Sequence, residues 1–171
     1  MIAIGKADPV PRLRSFLAAS ALAMIFGLGF STPSLAADCR SDRVDLRGSW
    51  GQVSFTVEIA DDEKERAQGL MFRDSMARGA GMLFVYPKPQ RAAFWMKNTL
   101  IPLDIIFLDQ TGRVIEIQAD AIPGDLTPLP GGDNVFAVLE INGGLSAQYG
   151  ISIGSEMRHK VFSKTAPIWP C

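Results

Sequence analysis

The positions of this chain best placed to do chemistry are polar residues set inside apolar runs. Lys97, Asn98 and Thr99 separate Phe94-Trp95-Met96 from the run Leu100-Ile101-Pro102-Leu103-Asp104-Ile105-Ile106-Phe107, and Asp104 and Glu140 each stand between two aliphatic residues. A carboxylate in such surroundings must be paired or hydrogen-bonded. Asp104 therefore needs partners, and Arg73, Asn98 and Thr99 are the nearest by motif. One arrangement gathers Arg73, Lys97, Asn98, Thr99, Asp104 and Glu140 around a cleft for a small polar or saccharide-like ligand, with Trp95 or Phe94 as an apolar wall. Asp104 and Glu140 are then candidate catalytic residues, acid and base of a glycan-directed hydrolase. The other arrangement is structural: Asp104 accepts N–H bonds from the turn at 98–102, and Arg73 forms an internal salt bridge. The two differ at Asp104→Ala, which destabilises a scaffold but leaves a ligand-facing cleft neutral or slightly stabilised. The expectation taken forward is the ligand-facing one.

Other chemistries find less support. The Gly-x-Ser-x-Gly elbow, the phosphate loop and the dinucleotide fingerprint are absent, and His159 is the single histidine. A triad built on His159 lacks a free nucleophile, a histidine-rich zinc site is excluded by count, and a lone histidine near a C-terminal strand reads as a surface or edge residue. No cofactor is implied. Met71, Met82 and Met96 recur near the polar motif, and thioethers suit Cu(I) outside the cytoplasm. Their neighbours Leu70, Leu83 and Trp95 favour ordinary core filling, so no metal is expected.

These residues belong to a chain with two unequal parts. Arg12 and Arg14 precede an uncharged 15-residue run, FLAASALAMIFGLGF, which gives way to Ser31-Thr32-Pro33-Ser34 and then Leu35-Ala36-Ala37. This is the order of a removable targeting segment, and the run is shorter than the roughly 20 residues of a membrane span. Residues 1–36 are read as a signal peptide cleaved after Ala36, leaving no stable membrane anchor, and 37–171 as one exported domain, periplasmic or secreted. That domain carries 14 Lys+Arg against 17 Asp+Glu, a net charge of −3, and lacks a basic run, which argues against nucleic acid as a partner. A small molecule remains the possible partner, and the oligomeric state is left open. Cys39 and Cys171 lie at the two ends of the exported part. An even pair outside the cytoplasm is expected to be oxidised, and without a Cys-x-x-Cys spacing the bridge reads as a structural disulfide.

The elements that must position the site read mainly as β. Val53, Phe55, Val57 and Ile59 alternate with polar residues, predicting a strand over 51–60. Asp62-Glu63-Lys64-Glu65 has capping-box spacing, Asp62 and Arg66 are an i,i+4 pair, and Gly69 stands at a terminator position, so a helix is expected over 62–68. Short apolar runs at 82–86, 93–97, 103–108, 114–119 and 135–141 follow, separated by turn formers at 87–89, 98–102, 109–112 and 123–134. A second helix over 144–149 and a last strand over 156–162 complete the chain. The expected fold is mainly β (α+β), a compact antiparallel barrel or sandwich of about seven short strands with one or two short helices.

The blocks Gly69-Leu70-Met71-Phe72-Arg73, Gly81-Met82-Leu83-Phe84, Phe94-Trp95-Met96-Lys97-Asn98-Thr99, Ile101-Pro102-Leu103-Asp104-Ile105-Ile106-Phe107 and Val138-Leu139-Glu140-Ile141 resemble, in order, the pattern of the domain of unknown function 192 family. The resemblance runs from about Val53 to about Val161. It implies a small β-rich domain, often exported in bacteria, without an established activity.

Overall fold

Alternation in the first third of the domain builds the first strands. In the computed structural model, which describes residues 39–171, β1 (Arg43–Gly48) and β2 (Gly51–Ala60) form an antiparallel pair. The expected targeting segment and cleavage point lie outside the described residues. β1 was not expected, although Val44 and Leu46 alternate with Arg43, Asp45 and Arg47 over its short length. Next, α1 (Glu63–Gln68) begins at a complete capping box between Asp62 and Glu65. Arg66 does not make the expected ion pair with Asp62; its guanidinium donates to the carbonyls of Asp61 and Val85. Gly69 ends the helix at φ 51°, where a Cβ would also meet the Phe84 ring at 3.1 Å.

The helix carries the chain back alongside β2, so β3 (Ala80–Phe94) pairs with β2 in parallel. This is one exception to the expected antiparallel order, and a crossover through α1 is its cause. β3 also runs through Pro87-Lys88-Pro89, which was expected to be a turn. The ladder to its neighbour slips between Val85 and Gln90, and the irregularity accommodates two residues that cannot donate N–H bonds. β4 (Leu103–Leu108) and β5 (Val114–Ala121) form the expected hairpin. β6 (Leu129–Asn142) takes in much of the segment expected to be a long loop. α2 (Leu145–Tyr149) leads to the short β7 (Glu156–Arg158) and a 3-10 turn at Lys160–Phe162.

The seven strands form one curled mixed sheet in the order β5-β4-β6-β3-β2-β1-β7. Its two edges meet: Val114 N–H donates to the Ser155 carbonyl (2.8 Å) and Met157 N–H to that of Gly112 (2.7 Å). The sheet is barrel-like, and it buries both faces of its central strands. All six residues of β4 are buried. The inner cluster holds Ile106, Leu108, Leu139 and Ile141, and the other face holds Leu103, Ile105, Phe107 and Val138. Gly131 leaves room there for the Phe107 ring, which a Cβ would meet at 1.9 Å.

The chain ends are tied by the expected disulfide, Cys39–Cys171, with Cα atoms 5.3 Å apart. In the chain-entropy account, closing a loop of this length stabilises by up to about 5 kcal/mol, with about 2–4 typical. His159 is a buried clip rather than an edge residue. Its Nε2 lies 3.0 Å from the Ser41 carbonyl and its Nδ1 accepts from Val161 N–H at 3.3 Å. Burial lowers its pKa, which keeps the ring neutral.

Candidate functional site

β4 and β6 run antiparallel with Asp104 opposite Ile141 and Ile105 opposite Glu140. Side chains alternate across a sheet, so Asp104 and Glu140 point to opposite faces. They cannot work as acid and base on one substrate, and the expected catalytic pairing is corrected on that ground.

Asp104 is fully buried and fully used. One carboxylate oxygen accepts from Asp120 N–H (2.8 Å) and Gly144 N–H (3.0 Å), the other from Ser146 N–H (2.6 Å). Gly144 is the N-cap of α2 and has no side chain to cap it. Asp104 supplies that cap from 40 residues away, together with a bond to β5. The ligand-facing role expected for Asp104 gives way to a scaffold role. The donors come from 120 and 143–146, not from the turn at 98–102.

Glu140 has the opposite surroundings. It is 5 % exposed, and no hydrogen bond from the described residues acts on its carboxyl group. Burial raises its pKa to about 8. Glu140 lines a cleft of about 130 Å³ together with Phe84, Tyr86, Phe94, Trp95, Met71, Thr99 and Arg66. Phe94 is fixed by edge-on contacts with Phe84 (centroids 5.0 Å) and Phe107 (5.7 Å). The Tyr86 phenol is pushed up by burial, which outweighs the opposing pull of Arg66. The guanidinium of Arg66 lies 5.5 Å from the Tyr86 ring centroid, and the Lys97 ammonium lies 5.1 Å from that of Trp95.

Two non-glycine residues with left-handed backbone flank this cleft, Phe72 (φ 64°) and Asn98 (φ 54°). They are joined by a bond from Phe72 N–H to the Asn98 carbonyl at 2.8 Å. Such conformations cost free energy and gather at binding sites. Phe72 is left 68 % exposed beside Met71.

The profile of the DUF192 family, described as "Uncharacterized ACR", matches residues 45–159. The chain belongs to that family. A protein of unknown function from Novosphingobium aromaticivorans DSM 12444 shares its fold at TM-score 0.67 and 42 % identity, over 75 % of this chain and 98 % of that one. A candidate transcription regulator from Sinorhizobium meliloti 1021 matches at TM-score 0.67 and 36 % identity, over 70 % and 94 % of the two chains. No curated protein matches the chain.

In this DUF192 domain the expected site residues divide among four places. Trp95 and Thr99 line the cleft with Glu140. Lys97 and Asn98 border an adjoining depression with Thr99, Leu100 and Gly124. Arg73 makes a two-point ion pair with Glu58 (Nη2–Oε2 2.7 Å) in a neighbouring hollow that shares Gln68 and Gly69 with the cleft. Asp104 is on the other face. Sequence reasoning passed over Arg66, read as a helix-pair partner, and Tyr86 and Phe84, read as strand core. A charged residue at the end of a helix that packs on an aromatic run is the signal that could have found them. Met82 and Met96 are buried in the apolar cluster of this face, and the Met71 sulfur accepts from Asn98 Nδ2 at 3.9 Å. Met82 and Met96 thus pack as core methionines, whereas Met71 is only partly buried and lines the cleft.

Proposed function

We propose that this DUF192 protein is exported and binds a small polar, saccharide-like ligand in the cleft above Glu140. The observation that carries the reading is the carboxyl group itself, buried at the base of an aromatic-walled opening with no partner among the described residues. A carboxyl group that lines a cleft without a protein partner is free to take its hydrogen bonds from a ligand. Aromatic faces at Phe94 and Trp95 suit the apolar face of a sugar ring, and Glu140 and Thr99 suit its polar edge. Strained backbone at Phe72 and Asn98 adds to the case. Export rests on the order of charge, apolar run and small residues in 1–37, and a disulfide between the chain ends suits an oxidising compartment.

A nucleic-acid role, suggested by the description of the Sinorhizobium meliloti relative, is disfavoured by a net charge of −3 over 37–171. A two-carboxylate hydrolase is disfavoured because Glu140 is the lone carboxyl group lining the cleft.

Two measurements test the proposal. A panel of mono- and disaccharides should raise the thermal midpoint of the wild type and not that of Glu140→Gln; no response to any member would remove the saccharide reading. Mass spectrometry of protein from the native envelope should find Ala37 or Asp38 at the N-terminus, and intact Met1 in a soluble fraction would count against export.

A further inference from the structure

We infer that the ligand group seated on Glu140 is a cation, an ammonium or guanidinium, so that the cleft takes an amine-bearing small molecule; this rests on the ligand-binding reading above. Glu140 is 95 % removed from solvent, and burial alone shifts its pKa, with no hydrogen bond from the described residues acting on it. The strands beside it contribute Met82 and Ile105 as direct neighbours, neither of which can donate from its side chain.

Among the described residues, two other ionisable groups line the cleft. Tyr86 on β3 lines the same cleft, as does Arg66 on α1. The Arg66 guanidinium is committed elsewhere, to the carbonyls of Asp61 and Val85 and to the Tyr86 ring. Lys97, at the rim, sits over Trp95. Neither cation reaches the carboxyl group to form an ion pair. Against the ionised Glu140 a carboxylate or phosphate ligand has the wrong sign. A neutral hydroxyl would form one ordinary hydrogen bond. A ligand cation forms charge-assisted bonds to both oxygens, roughly twice as strong. The rings of Phe94, Tyr86 and Trp95 line the same cleft, and aromatic rings are groups that hold an ammonium by cation–π attraction.

Binding is then linked to a proton. The free site holds Glu140 mainly protonated at neutral pH, because burial lifts its pKa to about 8. The cation binds the ionised form, and one proton leaves the carboxyl group for solvent. Affinity for a permanently charged amine should therefore rise about tenfold per pH unit between pH 6 and 7 and level off above about 8.

The test uses isotope-labelled full-length protein with its disulfide formed, and butylamine, butan-1-ol and glucose as probes. Butylamine stays protonated over pH 6–9, as a lysine side chain does. It should shift the Glu140 carboxyl carbon and the Trp95 indole signals, bind more tightly as pH rises, and lower the titration midpoint of Glu140. Butan-1-ol should show no such pH dependence, and Glu140→Gln should abolish the butylamine response. If glucose moves the same signals in a Glu140-dependent way and butylamine does not, the cation assignment is overturned and the saccharide reading stands. If butylamine affinity is flat from pH 6 to 9, the assignment is overturned as well. Silence of the cleft signals toward all three probes overturns the assignment and the ligand reading together.

Discussion

Asp104 and Glu140 stand one residue out of step on neighbouring strands, each flanked by aliphatic residues and each buried, yet their surroundings share almost nothing. Asp104 receives three backbone N–H groups, while Glu140 receives none from the described residues. The difference follows from what each face of the sheet meets. On the inner face, the turn after β6 folds back over Asp104 and aims the free N–H groups of an α2 start and of Asp120, held at φ 49°, toward it. On the other face, Glu140 shares its cleft with rings, Met71, Thr99 and Arg66, and sits opposite Met82, without receiving a hydrogen bond from them. Burial alone therefore does not give a carboxyl group its role. The supply of donors does, and the supply is set by which face of the strand the group occupies.

The comparison can be broken most directly at Asp104. Asp104→Ala orphans three backbone donors, one buried and two part-buried, and should cost about 3 kcal/mol or more, read as a drop in denaturant midpoint at unchanged m-value. A midpoint near that of the wild type would return Asp104 to the role of a ligand-facing group. The inner face is also the one tied by the chain ends, through His159 and the Cys39–Cys171 bridge. Replacing both cysteines by serine should cost about 2–4 kcal/mol in the same assay, and an unchanged midpoint would show that the inner face does not depend on the bridge.

Glu140 should respond to pH where Asp104 responds to truncation. Its pKa is higher folded, about 8, than the ordinary 4.5. The native state thus holds the extra proton, and the contribution to stability falls as pH rises from about 4.5 to about 8, then levels. The steepest slope is about 1.4 kcal/mol per pH unit, or roughly 2–3 kcal/mol between pH 5 and 7. Asp45 and Glu58, whose pKa values are lowered, lose stability in the opposite direction as pH falls. The measurement is therefore the wild type minus Glu140→Gln, and a difference that does not vary over pH 5–8 would mean that Glu140 is already ionised in the folded protein. The smallest effect is expected at Met82, directly opposite Glu140: Met82→Leu should change stability by less than about 1.5 kcal/mol. Tight Cu(I) binding lost in that variant would instead restore a metal role to this face.

The polar residues inside apolar runs were legible as exceptional, and the family pattern placed them in one motif set. Their grouping was not. Arg73 went to Glu58, 15 residues earlier, and Lys97 to the Trp95 ring, while Asp104 was taken by donors 16 to 42 residues away. Such partners come from long-range pairing, which local patterning cannot rank.

What the sequence by itself determined is local. Alternation placed β2, capping chemistry placed the start of α1, turn formers bounded β4 and β5, and two terminal cysteines anticipated the bridge. What only the tertiary structure decided is how distant segments meet. It carried β3 through two prolines, paired it in parallel with β2, and put Asp104 and Glu140 on opposite faces. The physical reason is that a strand's alternation gives two faces but does not say what will cover each one. Only the curl of the sheet brought backbone donors to one carboxyl group and aromatic rings to the other.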